Sequence, residues 1–475
     1  MLFAQLRIHL IIFWICIFTV PIIGYSQEQN DTVFLVKDLT SFESPGKEWD
    51  NIGDVTINPD ISTDFRKTTG SGIILANVVK AEAILTTRKN FGDIELEFDF
   101  LLSKGTKPAI LLQGRYRLNL SDSWAETNPS YKSMGGVGKR IEHDFAAFSG
   151  AAPFVNVAKA PGLWQHVRLR FRAPQFVNNI KTSNAVLEEV YINDCLVQQN
   201  LELQGASEGS VNSGEQAEAP VVFYSGNGVF AFKNFQARKP RPFAAPRVTG
   251  RRPPRVTNPI TIKAEVDNYF LRGFLNYKNK KRTHVISVGS PREINYSYDL
   301  KQGALLQVWN GPFLDVTEMW EQRGEPQLAK PLGSVVILSE APALAVLPDV
   351  NAVWPDSTSF DEFKNLGYTL DTARNPAFEY ETAGYHVRDK IAIANEGRSL
   401  TRQFYVTNMP SNLYCRLAAS SAIIPLGKGL YVVGDKTYFI RIDEGLKPFL
   451  RNTSAGVELL VAVTAARPVS YSLIW

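Results

Sequence analysis

Asp93-Ile94-Glu95-Leu96-Glu97-Phe98-Asp99-Phe100-Leu101 begins as a strict alternation of acid and apolar residue. Successive side chains of a strand point to opposite faces. Ile94, Leu96, Phe98 and Phe100 therefore belong to one sheet face, and the acids to the other. The same period returns in residues 163–171, where Val167, Leu169 and Phe171 alternate with His166, Arg168 and Arg170. Residues 108–113 are a short apolar run that reads as a buried strand. Residues 186–192 read as another, with Asn193-Asp194 as the turn behind it. Residues 221–235 read as a hairpin around Gly226-Asn227-Gly228, because Gly and Asn tolerate the positive φ of a tight turn. No long helical period interrupts this half. Many short strands with turn signals predict an all-β sandwich or jelly roll.

Working outward, the amino-terminal end reads differently. Arg7 gives a short basic start, residues 10–23 are almost wholly apolar, and Gly24-Tyr25-Ser26 places small residues before Gln27. That is the order of a secretory signal over residues 1–26, and it predicts an exported chain, periplasmic or extracellular. The apolar run is shorter than the roughly 20 residues of a spanning helix. The competing reading is an uncleaved membrane anchor. No later stretch is apolar enough to span a bilayer. Cys16 lies inside the apolar run, which leaves Cys195 and Cys415, too few for a disulfide scaffold. No Cys/His spacing resembles a zinc site.

Residues 237–259 carry seven basic residues, six prolines and no acid. They read as an extended linker between two domains, residues 27–236 and 260–475. Setting these seven and Arg7 aside turns the whole-chain charge of +4 negative. The folded parts are thus mildly acidic, which argues against nucleic acid as the main partner. The second half is also β-rich: residues 391–394 and 403–406, 430–433 and 437–442, and 457–463 read as strands. Its last residues, 471–475, read as packed into the fold.

Several segments of the first half together resemble one family. They are residues 85–96, Gln113-Gly114-Arg115-Tyr116, Ser121-Asp122-Ser123-Trp124, Gly135-Gly136, residues 151–166 and residues 190–194. In order and spacing, residues 38–236 resemble the 3-keto-disaccharide hydrolase domain family, a concanavalin-like jelly roll. The resemblance implies an exported carbohydrate-active hydrolase of glycosidic bonds in oxidised sugars. The departures bear on that activity. Arg117 and Asn119 stand where the family has Glu and Gln, and Asn227 stands where it has His. Arginine stays protonated, and asparagine cannot act as a general base.

Other groups are then expected to carry proton transfer. Glu142, His143 and Asp144 are consecutive, and Asp122 remains, so these four are the candidate catalytic residues. On a strand Glu142 and Asp144 would share a face; on a loop all three would converge. A keto group acidifies the adjacent C–H, so such an enzyme needs a base and an electrophilic stabiliser, with a divalent metal as one option. Arg115, Tyr116, Arg117, Asn119, Trp124 and Asn227 are the candidate substrate-binding residues. Tyr131 offers a further flat face. Paired arginines suit an acidic saccharide; the bland reading pairs Arg115 and Arg117 with Glu95, Glu97 and Asp99.

In the second half, residues 284–333 resemble an accessory module of secreted sugar-dehydrogenase-like proteins, and a β-sandwich or supersandwich is expected there. Trp309, Asp315, Trp320 and Arg323 would line a sugar groove or form an aromatic core. The alternatives to an enzyme are a degenerate carbohydrate-binding module and a scaffold in a glycan-processing complex.

Overall fold

The computed structural model describes residues 33–78, 82–140, 149–241, 258–321, 327–359, 361–394 and 398–475. The acid-alternating segment is the strand Ile94–Leu102, fourth in an eight-stranded antiparallel sheet when counted from the edge strand Cys195–Leu203 past Ala185–Ile192 and Gln165–Arg172. Its apolar face closes on a second, five-stranded sheet containing Ile84–Phe91, Ala219–Tyr224, Ala109–Leu112 and Tyr116–Asn119. Phe98, Phe100, Leu96, Phe171, Phe223 and Phe232 fill the space between the two sheets. This is the expected jelly-roll sandwich.

The polar faces of the neighbouring strands form a charge ladder. Glu95 faces Arg170, Glu97 faces Arg168 and Asp99 faces His166 across the pair. Directly opposed unlike charges stabilise a sheet by about 0.2–1 kcal/mol each. The acids are also held by groups of the strand on their other side, with Arg238 on Glu95 at 2.8 Å and Asn234 on Asp99 at 2.7 Å. The expected pairing of Arg115 and Arg117 with these acids is therefore corrected, because the acids face the opposite side of the sandwich from Tyr116–Asn119.

Residues 221–235 correct a second expectation. Ala219–Tyr224 pairs within the five-stranded sheet, whereas Gly228–Arg238 pairs with Phe65–Val78 and Ile94–Leu102 in the eight-stranded one. The two are not a hairpin. Gly226 and Gly228 take φ of 64° and 132°, and the chain crosses from one sheet to the other. The crossing aims both apolar faces at the same core, where the rings of Phe223 and Phe232 stack with centroids 4.4 Å apart. Such stacking contributes about 0.5–1.5 kcal/mol beyond the area buried.

The second half builds a second layered β body. Its largest sheet has eight strands, and the carboxy-terminal strand Val469–Ile474 lies inside it, between Ser399–Thr407 and Tyr438–Ile442. Trp475 is fully buried. A four-stranded sheet with Leu413–Ser420 and Gly456–Ala462, a five-stranded one with Lys280–Gly289 and Ile294–Asp299, and a small three-stranded one around Leu314–Asp315 belong to the same body. Asp389 and Arg402 form an ion pair inside this body, with side chains 0% and 4% exposed and N–O separations down to 2.6 Å. Tyr298 donates to the same carboxylate at 2.9 Å.

The halves share a core: Ala160 and Leu163 pack in one cluster with Phe439 and Tyr471. Val33–Trp475 accordingly forms one compact unit. Lys436 reaches Asp54 at 2.7 Å, and Lys233 reaches Asp435 at 2.6 Å. Most of the basic linker, residues 242–257, lies outside the described residues, as do residues 1–32. Among the described residues no helix is long and apolar enough to cross a membrane. Cys195 and Cys415 are both buried and unbridged. Burial pushes each thiol up to about 12, so neither is a ready nucleophile.

Candidate functional site

The strand Tyr116–Asn119 divides the candidate residues between its two faces. Tyr116 and Leu118 point into the sandwich core, and Arg117 and Asn119 point outward. Tyr116 is 1% exposed, and its hydroxyl donates to Glu215 at 2.6 Å. Burial raises the phenol, and the bond to Glu215 raises it further. Tyr116 is thus a core residue and not a sugar platform. Arg115 is 2% exposed and donates to the backbone oxygens of Gly214 and Gln113 at 2.5 and 2.6 Å. Its guanidinium fastens a loop and does not line the site.

Arg117 and Asn119 form the floor of a pocket of about 360 Å³ on the outer face of the five-stranded sheet. Its walls are Lys107, Ser121, Tyr131, Lys132, Gly138, Lys139, Glu208 and Gly209. Arg117 Nε donates to Asn119 Oδ1 at 2.8 Å, and Asn119 Nδ2 donates to the backbone oxygen of Tyr131 at 2.8 Å. The guanidinium also lies 5.5 Å from the centre of the Tyr224 ring. Local backbone makes room for it. Gly138 and Gly209 approach so closely that a Cβ on either would meet Arg117 at 3.1 and 3.2 Å. Ser207 Oγ accepts from the Arg117 backbone at 3.1 Å, and Tyr224 donates to the Gly209 oxygen at 2.9 Å, which pins the loop over the sheet. Four cations thus face one carboxylate, Glu208, among the described lining residues.

The wall residues are braced from the second half of the chain. Arg398 is 7% exposed and donates to the backbone oxygens of Glu126 at 2.9 Å and Asn156 at 3.1 Å. The Glu126 carboxylate accepts from Ser133 Oγ at 2.5 Å, and Ser133 Oγ accepts from the Ser130 backbone at 2.8 Å. Tyr131 and Lys132 lie inside that turn. Trp124, a candidate platform, donates its ring N–H to the Trp475 oxygen at 2.7 Å and is a joint between the halves instead.

The remaining candidates fall elsewhere. Asp122 accepts from the backbone of Gly105 at 2.8 Å and Trp124 at 3.3 Å, so it closes a turn. Burial raises its carboxyl. It is not among the pocket's lining residues. Asn227 is exposed at the tip of the crossing. Its neighbour Gly226 nevertheless packs on the backbone of Lys107, which lines the pocket. Glu142, His143 and Asp144 lie outside the described residues. Among those described, no three His, Cys, Asp or Glu side chains are grouped to hold a metal ion. In the second half, Trp309 is fully buried and stacks on Phe313, and Asp315 accepts from the Thr317 backbone at 2.8 Å. Trp320 is exposed, and Arg323 lies outside the described residues. Trp309, Asp315 and Trp320 do not form a groove.

Sequence reasoning missed Lys107, Lys132, Lys139 and Glu208. Each is an ordinary charged residue in a loop, and nothing in its own segment marks it.

Comparison with solved structures finds similarity to two candidate glycosyl hydrolases from Parabacteroides distasonis. The first is 19% identical, covers 44% of this chain and 84% of that one, and has a TM-score of 0.31. The second is 13% identical, covers 43% and 91%, and has a TM-score of 0.28. The carbohydrate-binding module CBM66 from Bacillus subtilis is 13% identical over 35% of this chain and 86% of that one, with a TM-score of 0.21. No curated protein matches the chain. The family comparison is the informative one. Residues 34–238 match the family model of the 3-keto-alpha-glucoside-1,2-lyase-like domain.

Proposed function

We propose that the protein is exported and that its jelly-roll pocket binds an acidic saccharide. The observation that carries the ligand class is the Arg117 floor, with Lys107, Lys132 and Lys139 around it and Glu208 as the one described carboxylate. A guanidinium already oriented by Asn119 and Tyr224 presents its remaining donors to a carboxylate or sulfate at little further entropic cost. Asn119 and Ser121 offer groups suited to ring hydroxyls. Export rests on the composition of residues 1–26.

The family match favours a second reading, elimination or hydrolysis of a 3-keto glycoside. In an elimination a base takes the proton at C2, acidified by the C3 ketone. The C1–O bond then breaks, and the departing oxygen takes up a proton. Negative charge develops on the ketone oxygen, and Arg117 would stabilise it. Glu208 is the base this pocket supplies from its described residues.

The test uses oligogalacturonate, its neutral counterpart maltohexaose and 3-ketosucrose. Binding of oligogalacturonate that the Arg117→Ala variant weakens at least about tenfold, a loss of about 1.4 kcal/mol, supports the binding reading. Turnover of 3-ketosucrose that Glu208→Gln abolishes while leaving binding intact moves the assignment to the enzyme. Equal affinity for maltohexaose and oligogalacturonate sinks the acidic-ligand reading.

A further inference from the structure

The second half contains a cleft of about 690 Å³ that shares no lining residue with the jelly-roll pocket. It opens between the strand Lys280–Gly289 and the strand Leu413–Ser420. Its volume falls within the roughly 300–1,000 Å³ of small-molecule sites. We propose that this cleft is a second, independent site for an acidic saccharide.

The floor is a fixed guanidinium. Arg416 donates to Glu458 at 2.6 Å and to Ser339 Oγ at 3.2 Å, and it lies 4.9 Å from the centre of the Trp354 ring. Arg451 takes the other Glu458 oxygen at 2.7 Å. One carboxylate thus serves two guanidiniums, and a positive charge remains beneath the cleft. On one wall Arg282 pairs with Glu340, and Arg282 Nε is buried without a hydrogen-bond partner among the described residues. Lys278 and Lys280 stand exposed at the rim, beside a turn held by positive φ at Lys278 and Asn279. Asp356 is the further carboxylate among the lining residues, so cations outnumber acids.

The same walls carry hydroxyls for a polyol, from Ser339, Ser357 and Thr437. Beneath them a smaller void of about 40 Å³ continues past Arg416 and Tyr438 toward Arg402. The cleft therefore has depth as well as charge. Single-stranded nucleic acid is the other polyanion to weigh, and it binds by stacking its bases on exposed aromatic faces. The aromatic residue lining this cleft is Tyr438, which is 8% exposed and packed in the core. An acidic saccharide fits fixed guanidinium, rim ammonium and hydroxyls together.

The test is calorimetric titration of the purified protein with a galacturonate hexamer, beside maltohexaose and a thymidine hexanucleotide. Two separable binding events for the galacturonate are expected in the unchanged protein. Lys278→Glu/Lys280→Glu should weaken one of them by about tenfold or more. Lys132→Glu/Lys139→Glu should weaken the other alone. All four lysines are exposed or at a rim, so unchanged thermal melts will separate loss of binding from loss of fold. A single event abolished by the Lys132/Lys139 pair overturns the second site and leaves the first. A single event in the unchanged protein, abolished by the Lys278/Lys280 pair, overturns the jelly-roll assignment and leaves this one. Comparable binding of maltohexaose or the hexanucleotide at the cleft overturns its ligand class.

Discussion

Asp389 and Arg402 meet in the interior of the second half, and neither can recruit water to replace the other. Arg402 gives both Nε and Nη2 to the carboxylate and a further bond to the Gly303 oxygen at 2.8 Å. Asp389→Ala would leave a buried guanidinium without its counter-charge. That should cost about 3–5 kcal/mol of unfolding free energy, read as a lower urea midpoint with the slope retained. A loss under about 1 kcal/mol would mean that the pair is solvated and does not organise this core. At the same scale, Arg117 and Tyr116 show what adjacency hides. They are neighbours in sequence, yet alternation sends one to the pocket and the other to the core.

At the scale of the element, the strands Ile94–Leu102 and Gln165–Arg172 are joined by their polar faces. His166 Nδ1 lies 2.8 Å from Asp99 Oδ1. The bond to Asp99 holds the imidazole above its usual range, against the opposing effect of burial. Burial pushes the Asp99 carboxyl up, but the bonds from His166 and Asn234 outweigh it and leave it below its usual range. The signs then follow. The histidine contribution is full below its ordinary value of about 6.5 and is lost as pH rises through the raised one. The aspartate contribution is present above about 3.9 and is lost as pH falls through the lowered one. Unfolding free energy followed from acid to alkaline pH should therefore show a decline at each end, and His166→Gln should remove the alkaline one. If the variant keeps the same alkaline decline, another group causes it. Both strands and their polar faces were legible from period two. Their register was not, because it is set by the shared core.

At the scale of the whole molecule, the second half holds part of the first in place. Arg398 donates to the backbone oxygen of Glu126, in the segment that leads to Tyr131 and Lys132, and to that of Asn156. Arg398→Ala should cost about 1–3 kcal/mol, since it leaves buried acceptors without donors. It should also weaken saccharide binding at the jelly-roll pocket, although Arg398 is not among its lining residues. Arg398→Lys should restore only part of both, because an ammonium lacks the planar fork that spans two carbonyls. A lower melting temperature with unaltered binding would confine Arg398 to a structural joint.

Sequence alone determined the all-β class, the core-facing residues of the main strands and the family that the first half resembles. These depend on local alternation and on motifs that lie along the chain. It also marked Arg117 and Asn119, because they depart from a pattern. Only the tertiary structure decided that residues 219–238 cross between sheets, since a turn that permits positive φ does not specify which neighbour each strand pairs with. Only it removed Tyr116, Arg115 and Trp124 from the site, because burial depends on what packs from elsewhere. It also gathered Lys107, Lys132, Lys139 and Glu208 around Arg117, and Arg416 above Glu458. Such gatherings arise where separate loops and strands meet, and no spacing within one segment encodes them.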